Sequence, residues 1–361
     1  MTHTYTLYDT PEIVATIEAD LAFILSEIRA VVPDMVALIL AGGFGRGEGS
    51  VIAQDGRVVP VNDYDVHVIT HSRNPGVDWA GLEQRLAAHI GVRWVDIEYT
   101  PRRKLRRLRG QQYGFDLKYG GRVLWGEPNI LEEIPPFTAR EIRPREVEKL
   151  FFTRLWCFLG PVVLDARTDA FSFPDCFFAT AQLSKAVVAC VEALLIARGV
   201  YCVRCAEKMA RLQAHAPEKS ALLSLAEWAI AFKLDPGTPA PEADDLAALY
   251  DRARDVYLDV FGELLGGLYG RRWQGWASLT RLYHPPLGRR AQLRRMVHFV
   301  RHGRFPVDVE REKQMARLFL VYSWNQSVEY NRRAKEHLVR AALFDAASPP
   351  DWEALRKVAV S

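Results

Sequence analysis

A glycine-rich turn between two predicted strands constrains this chain more than any other feature. Residues 36–40 are all apolar and predict a buried strand, and five of the next nine residues are glycine. A second strand is predicted over residues 63–69, where Asp63 and Asp65 share one face because side chains alternate along a strand. Two adjacent carboxylates repel each other, and a shared divalent cation such as Mg²⁺ removes that cost. Because glycines let backbone N–H groups approach a phosphate closely, the stretch indicates nucleotide chemistry.

Two common glycine motifs are absent from the turn. The chain has no G-x-x-x-x-G-K-[ST] pattern, which excludes a Walker P-loop at this position. The spacing G-x-G-x-x-G does not occur either, because position 48 is Glu and position 50 is Ser. That absence argues against a Rossmann dinucleotide site.

The pair Gly42-Gly43, followed by Asp63-Tyr64-Asp65-Val66, resembles the signature of the DNA polymerase β-like nucleotidyltransferase superfamily. That signature is Gly-Gly or Gly-Ser after a strand, then two acids that alternate with apolar residues, then a third acid on a later strand. The wider string GGFGRGEG…NDYDV resembles uncharacterised bacterial members with a helical C-terminal domain. The resemblance covers about the first third of the chain. Position 43 is Gly where many members have Ser, so backbone contacts to phosphate must carry more of the binding.

The resemblance implies transfer of a nucleoside monophosphate, expected to be AMP from ATP, to a hydroxyl acceptor with release of pyrophosphate. Asp63 and Asp65 would hold two Mg²⁺ ions, with Mn²⁺ as a substitute. Gly42, Gly43 and Arg46 would hold the β- and γ-phosphates. The acceptor is not identified by the motif, and small molecules, proteins and RNA all stay open.

The third acid and a distant lysine complete the implied site. Asp96 and Glu98 share a face of the strand predicted over residues 93–99, and we select Asp96 because it lies between two apolar residues, while Glu98 stays open. In the superfamily this acid ligates metal and helps to deprotonate the acceptor. Lys185 lies in the long apolar stretch 177–196. Its ammonium either snorkels to solvent, pairs with an acid of another helix or, as the resemblance to other members implies, contacts the nucleotide phosphates.

The predicted fold is α+β, with a mixed-sheet nucleotidyltransferase domain over residues 1–130 and an all-helical, acceptor-binding domain over residues 137–361. Thr10-Pro11 predicts the start of the first helix, and Asp55-Gly56 predicts a hairpin turn. Alternation over residues 113–119, followed by Gly120-Gly121, predicts a further hairpin. The resemblance implies that this hairpin closes the sheet and makes Asp116 and Lys118 secondary site candidates, with a salt-bridged surface strand as the alternative.

Two basic segments offer surfaces for phosphate. All but Pro101, Leu105 and Leu108 of residues 101–109 are Arg or Lys, and the segment is either a solvated surface or a phosphate-binding edge. A helix predicted over residues 289–304 is either an acceptor-binding surface or an ordinary surface helix paired with acids elsewhere, and it carries basic residues on one face: Arg290, Arg294, His298 and Arg301. The competing hypothesis is therefore a catalytically idle nucleotide- or RNA-binding protein, or one that regulates a partner, acting through this basic helical face.

Composition indicates an ordinary soluble chain. Its net charge is +3, no apolar run is expected to span a bilayer, and five scattered cysteines are typical of reduced thiols, so we expect a cytoplasmic protein. The lone C-x-x-C of Cys202 and Cys205 favours core packing over zinc. His67 is expected to be a hydrogen-bonded strand residue. Metal binding and capping of the turn are both open for Glu48, and we select neither.

Overall fold

The computed structural model describes residues 5–54, 56–61, 63–73, 75–165, 170–239, 246–270, 296–297, 300, 307–322 and 328–361. The chain forms two compact units. The first comprises Met1–Glu146 with Leu194–Pro241, and the second comprises Val147–Ala193 with Glu242–Ser361. Residues 194–241, which were predicted to lie in the helical domain, thus pack with the N-terminal unit. The division into domains at residues 130 and 137 stays a prediction.

A four-stranded mixed sheet forms the centre of the first unit. Its strands are β1 (Met35–Leu40), β4 (Tyr64–Thr70), β5 (Val95–Pro101) and β6 (Arg122–Gly126). Their order is β5-β4-β1-β6; β4 pairs parallel with β5, and β1 pairs antiparallel with both β4 and β6. Every residue of β1 is buried, as expected of a central strand. The mixed sheet and the many helices make the protein a mixed helix-and-sheet fold, which is compatible with the predicted α+β class.

Two helices pack on one face of the sheet. Helix α1 (Pro11–Val31) begins where the Thr10 hydroxyl accepts a hydrogen bond from the N–H of Ile13 at 3.3 Å, as predicted. Helix α3 (Trp79–Ile90) ends at Gly91, which has the left-handed backbone typical of a C-terminal cap. The buried residues of this layer form one core, which includes Ile17, Leu21, Ile24, Ile28, Leu38, Leu40, Tyr64, Val66, Val68, Leu82, Leu86, Val95 and Ile97. Asp65 and His67 alternate with the core residues of β4, so they belong to the opposite face.

The glycine turn and the predicted hairpin lie between β1 and β4. The turn forms a short helix, α2 (Gly42–Gly45), and the hairpin comprises β2 (Val51–Gln54) and β3 (Arg57–Pro60). Ala53 pairs with Val58 in this hairpin, which confirms the turn predicted there.

The strand predicted over residues 113–119 is wrong. This segment is helix α4 (Gln112–Gly120), and only residues 122–126 form a strand, β6. The alternation of Phe115, Leu117 and Tyr119 suggested a strand, but Phe115 and Tyr119 lie one helical turn apart and their tilted rings are in contact, with centroids 4.7 Å apart. Both rings also contact Phe137, so packing with residues that follow the sheet decides the conformation.

The basic segment after β5 is a 3₁₀ helix over Arg102–Leu108. Leu105 is the buried residue of this 3₁₀ helix. Helices α8 (Cys205–His215) and α9 (Ser220–Leu234) complete the first unit. The Ser50 hydroxyl donates a hydrogen bond to the carbonyl oxygen of Lys233, which joins α9 to the chain that follows the glycine turn.

The second unit is mainly helical over its described residues. Its helices are α5 (Arg145–Arg154), α6 (Trp156–Leu159), α7 (Cys176–Ala197), α10 (Leu246–Leu268), α11 (Val309–Tyr322), α12 (Val328–Arg340) and α13 (Trp352–Val360), with a small hairpin of β7 (Val163–Asp165) and β8 (Ala170–Ser172). Residues 145 and 146 of α5 and residues 194–197 of α7 belong to the first unit. Aromatic side chains fill the core, where the Tyr250 hydroxyl donates to the Phe158 carbonyl at 2.8 Å and the Tyr257 hydroxyl donates to the Phe151 carbonyl.

Helix α7 is long and apolar enough to cross a membrane, contrary to the expectation that no run would be. Its most apolar stretch is 78% buried within the protein, as in the core helix of a soluble chain. Among the described residues, α7 is the one helix that meets these criteria of length and composition. The fold is therefore compatible with a soluble protein, and a cytoplasmic location stays a prediction.

Candidate functional site

The carboxylate of Asp65 lies directly against Gly42. The N–H of Ala41 donates to the carbonyl oxygen of Asp65 at 2.8 Å, which joins the end of β1 to the start of β4. Gly42 has φ +59°, and a Cβ atom built on it would lie 1.7 Å from Asp65 Oδ2. Position 42 therefore requires glycine for two reasons, backbone conformation and the close approach of this carboxylate.

Strand register places Asp96 beside Asp65. In the parallel pair of β4 and β5, Asp65 is opposite Asp96, and His67 is opposite Glu98. Neighbouring residues on parallel strands are roughly 4.8 Å apart and point to the same side of the sheet. Asp65 is half-buried, whereas Asp96 and Glu98 are exposed on the edge strand. Register thus makes Asp96 the direct neighbour of Asp65, and Glu98 lies one pair further along.

Asp63 immediately precedes β4 and is half-buried. Within the described part of the chain, no group of three or more His, Cys, Asp or Glu side chains is arranged to hold a metal ion by itself. Mg²⁺ commonly takes only one or two protein carboxylates and completes its shell with water and substrate phosphates. The adjacent carboxylates of Asp65 and Asp96, one of them exposed, fit that mode of binding; the metal roles of Asp63, Asp65 and Asp96 stay predictions.

Arg46 belongs to a buried ionic network. Only 12% of its side chain is exposed, and its Nε lies 3.6 Å from Glu48 Oε2. Burial on its own would lower the pKa of Arg46, but the negative groups around it, with Asp116 first and Asp65 among them, raise the pKa overall. The guanidinium is therefore held between the glycine turn and α4. Its contact with the β- and γ-phosphates stays a prediction.

Tyr201 completes the network from the region of the chain that follows α7. Its hydroxyl donates to Asp116 Oδ1 at 2.8 Å and accepts from Gln112 Nε2 at 3.2 Å. The ammonium of the buried Lys208 lies 5.4 Å from the centre of its ring, a cation–π contact. These contacts hold Asp116 in place beside Arg46.

Glu48 has a role that the sequence did not reveal. Its carboxylate is 1% exposed and accepts hydrogen bonds from the N–H groups of Cys205 at 2.7 Å and Ala206 at 3.1 Å. These are orphan donors at the N-terminus of α8, where a negative charge is also favoured by the helix dipole. Glu48 therefore caps a distant helix, and neither of the two roles left open for it describes this contact.

His67 is buried and hydrogen-bonded, as expected. Its Nδ1 lies 2.6 Å from the Tyr113 hydroxyl, and burial lowers its pKa to about 3. The imidazole is therefore neutral at physiological pH. Burial raises the pKa of Tyr113, and the nearby charges of Glu98 and Asp65 raise it further, so its hydroxyl stays protonated at physiological pH. Tyr113 is a site residue that the sequence did not predict, because its segment was assigned to a strand.

The remaining predicted residues lie in other surroundings. Lys185 is half-buried on α7, in the part of this helix that belongs to the second unit. Burial raises the pKa of the Cys157 thiol, and the nearby charge of Lys185 offsets part of that rise. Its contact with nucleotide phosphates stays a prediction. Cys202 and Cys205 are free and buried, and burial raises the pKa of Cys202 to about 11. Gly43 is buried within α2.

The basic 3₁₀ helix divides into paired and unpaired side chains. Arg102 forms ion pairs with Glu127 and Glu133, and Arg109 pairs with Glu141. Arg103, Arg106 and Arg107 are exposed, and no acidic partner pairs with them among the described residues. The basic face predicted on residues 289–304 lies outside the described residues, apart from residues 296, 297 and 300.

No model of a known protein family matches the chain, and no curated protein matches it.

Proposed function

We propose that this chain is a nucleotidyltransferase that transfers AMP from ATP to a hydroxyl acceptor and releases pyrophosphate. The observation that carries the proposal is the contact of the Asp65 carboxylate with Gly42, next to Asp96 in register on β5. A glycine turn is suited to phosphate, and paired carboxylates are suited to the cation that accompanies a triphosphate. In this arrangement the two features are adjacent.

Asp65, with Asp63 and Asp96, would hold the two Mg²⁺ ions that the resemblance implies. When bound, such ions neutralise the triphosphate and stabilise the attacking and leaving oxygens of an in-line displacement. Asp96 is exposed, so it can accept the proton of the acceptor hydroxyl. The oxygen of that hydroxyl then forms a bond to the α-phosphorus, and the bond to pyrophosphate breaks. Glu98, one register pair away, is the alternative base.

Arg46 is buried beside the glycine turn. Its charge is shared among Glu48, Asp116 and Asp65, so it holds the glycine turn and the Asp65 carboxylate close together against the repulsion of the acids. The guanidinium has one buried nitrogen, Nε, that makes no hydrogen bond among the described residues. That nitrogen lies towards the interior, so we assign Arg46 a positioning role in addition to any phosphate contact.

The basic 3₁₀ helix suits the acceptor better than the triphosphate. It begins directly after β5, six residues beyond Asp96, which is roughly 20 Å along an extended strand. A triphosphate bound at Asp96 does not extend that far, whereas a polyanionic acceptor such as RNA does. Small-molecule and protein hydroxyls stay open as acceptors.

Metal-dependent binding of ATP tests the proposal. Titration calorimetry of the full chain with ATP, with and without Mg²⁺, is expected to show binding only with the metal, and Asp65→Asn is expected to weaken it at least tenfold. Asp255→Asn makes the same change at an exposed position of α10 and should leave binding unaltered. Equal affinity in the wild type and in Asp65→Asn would contradict the proposal.

A catalytically idle binding protein is the alternative from another class. The exposed Arg103, Arg106 and Arg107 favour it, because they offer unpaired positive charge to a polyanion without any need for metal. RNA binding that is strongly salt-sensitive, unaffected by EDTA and unchanged in Asp65→Asn would support this alternative. A partner-regulating role through the helical region would instead produce a specific protein in a pull-down.

A further inference from the structure

A second cleft opens on the first unit and shares no residue with the candidate nucleotide site. Its volume is about 500 Å³, within the range of small-molecule sites. Three segments form its walls: residues 138–140, the turn that follows α7, and the last turns of α8. The lining residues are Thr138, Ala139, Arg140, Gly199, Val200, Arg211 and His215.

The walls bring three basic side chains to one space. Arg140 and His215 are exposed to it, and in the part of the chain that the structure describes no acidic side chain pairs with either. The acid next to Arg140 along the chain, Glu141, is already bonded to Thr138 and paired with Arg109. Glu141 therefore does not neutralise Arg140, and the acid that pairs with Arg211 is Glu207.

The basic groups are held in position by the backbone. Arg211 Nη1 donates to the carbonyl oxygens of Val200 at 3.0 Å and Tyr201 at 3.3 Å, and its contact with Glu207 is longer, at 3.4 Å. Gly199 has φ +66°, and a Cβ atom there would lie 2.8 Å from Arg140 Cγ, so the stem of Arg140 packs directly on this glycine. A binding group that is already ordered loses less conformational entropy when a ligand arrives.

We propose that this cleft binds a small polyanion, either a phosphorylated or a multiply carboxylated metabolite, through Arg140, Arg211 and His215. Guanidinium groups match phosphate and carboxylate oxygens in two-point contacts, and the imidazole adds a further donor. Ala139 and Val200 supply apolar wall for the carbon part of such a ligand. The inference is independent of the nucleotidyltransferase proposal, since it uses none of the same residues.

Calorimetric titration with pyrophosphate and, separately, with citrate tests the proposal. EDTA is present throughout, so that metal-dependent binding at Asp65 does not contribute, and Asp65→Asn is expected to bind like the wild type. The wild-type chain should bind at one site, and Arg140→Ser and His215→Gln should each weaken binding about tenfold. Arg198→Ser is the matched control, because Arg198 is a nearby exposed arginine that pairs with Glu218 and does not line the cleft.

The two ligands distinguish the source of the anion. Binding of pyrophosphate alone identifies a phosphorylated ligand, and binding of citrate alone identifies a carboxylated one. Both substituted residues are exposed, so loss of folding is not expected, and circular dichroism checks it. No saturable binding of either anion, or equal affinity in Arg140→Ser, His215→Gln and Arg198→Ser, would overturn the proposal. That failure would leave the Mg²⁺-dependent ATP binding described above unaffected.

Discussion

The carboxylate of Glu48 accepts a hydrogen bond of 2.7 Å from the backbone N–H of Cys205, 157 residues later in the chain. Through this contact the glycine turn is attached to the N-terminus of α8, within the same compact unit. The turn is therefore held from two sides, by Asp65 at Gly42 and by α8 at Glu48.

Glu48→Ala should destabilise the first unit, because it leaves the N–H groups of Cys205 and Ala206 without their acceptor and removes one of the carboxylates around the buried Arg46. Hydrogen bonds to charged groups contribute about 1.5–3 kcal/mol each. We expect a loss of about 2–4 kcal/mol in the free energy of unfolding, less than the sum of two such bonds, because Ala206 is exposed and water can replace part of its bond. Urea denaturation measures it. Glu132→Ala, at an exposed glutamate of the same unit, is the control and should cost under about 0.5 kcal/mol. A cost for Glu48→Ala as small as that of the control would show that the cap does not hold the turn.

Gly42→Ala should abolish nucleotide binding out of proportion to its effect on stability. The new methyl group would displace the Asp65 carboxylate, since a Cβ atom at position 42 would lie 1.7 Å from Oδ2. We expect ATP affinity in Mg²⁺ to fall at least tenfold in calorimetric titration.

Gly56→Ala is the matched control for Gly42→Ala. Gly56 has φ +73°, so alanine is similarly strained there, but among the described residues no atom beyond its chain neighbours lies within 4 Å of a Cβ atom built on it. Each substitution should cost about 1 kcal/mol or more through backbone strain, and only the one at position 42 should affect binding. A similar loss of affinity in both would mean that Asp65 is not positioned by Gly42.

His67 should make the protein sensitive to acid. Its pKa is lowered to about 3 by burial, so the unfolded state takes up a proton below about pH 6.5 while the folded state does not until about pH 3. The contribution of His67 to the free energy of unfolding is therefore fully present above pH 6.5. It is lost progressively as the pH falls from about 6.5 to about 3, by at most about 1.4 kcal/mol per pH unit.

Replacement of His67 by Gln removes the titrating group and isolates its contribution. Chemical denaturation of the wild type and of His67→Gln at several pH values between 7 and 4 measures the difference in slope. We expect a smaller fall for the variant. Parallel curves would show that His67 does not stay neutral in the folded state.

The unpaired arginines of the 3₁₀ helix should contribute to the binding of a polyanion, and the paired ones should not. Arg103→Ser with Arg106→Ser is expected to weaken binding of a short single-stranded RNA and to reduce the slope of log affinity against log salt by about one to two. Fluorescence anisotropy at several salt concentrations measures both quantities. Arg332→Ser with Arg333→Ser is the control, because these exposed arginines of α12 pair with Glu329. An unchanged salt slope would exclude this segment as the contact surface.

Local patterns predicted the parts of the fold that depend on neighbours in the sequence. The Thr10 cap, the hairpin at Gly56 and the alternation of Asp65 with core residues all follow from a few adjacent residues. The sequence also predicted the strand of Asp96, although its register with Asp65 is visible only in the sheet.

The parts that could not be predicted depend on contacts between distant segments. Residues 113–119 alternate like a strand, but packing against Phe137 and Tyr201 makes them helical. The partners of Asp116 and Glu48 come from segments 85 and 157 residues away. No local signal marks such partners, so Tyr113 and Tyr201 were missed and the contact of Glu48 with α8 was not predicted.

Label transfer from α-³²P-ATP tests the central claim most directly. The purified chain is incubated with each α-³²P-labelled nucleoside triphosphate and Mg²⁺ in cell extract, beside Asp63→Asn/Asp65→Asn and the Asp255→Asn control. We predict that label moves from ATP to a macromolecular or small-molecule acceptor with the wild type and the control only, and the labelled species identifies the acceptor. If no label moves with the wild type, or if it moves equally with the double variant, the nucleotidyltransferase account is wrong.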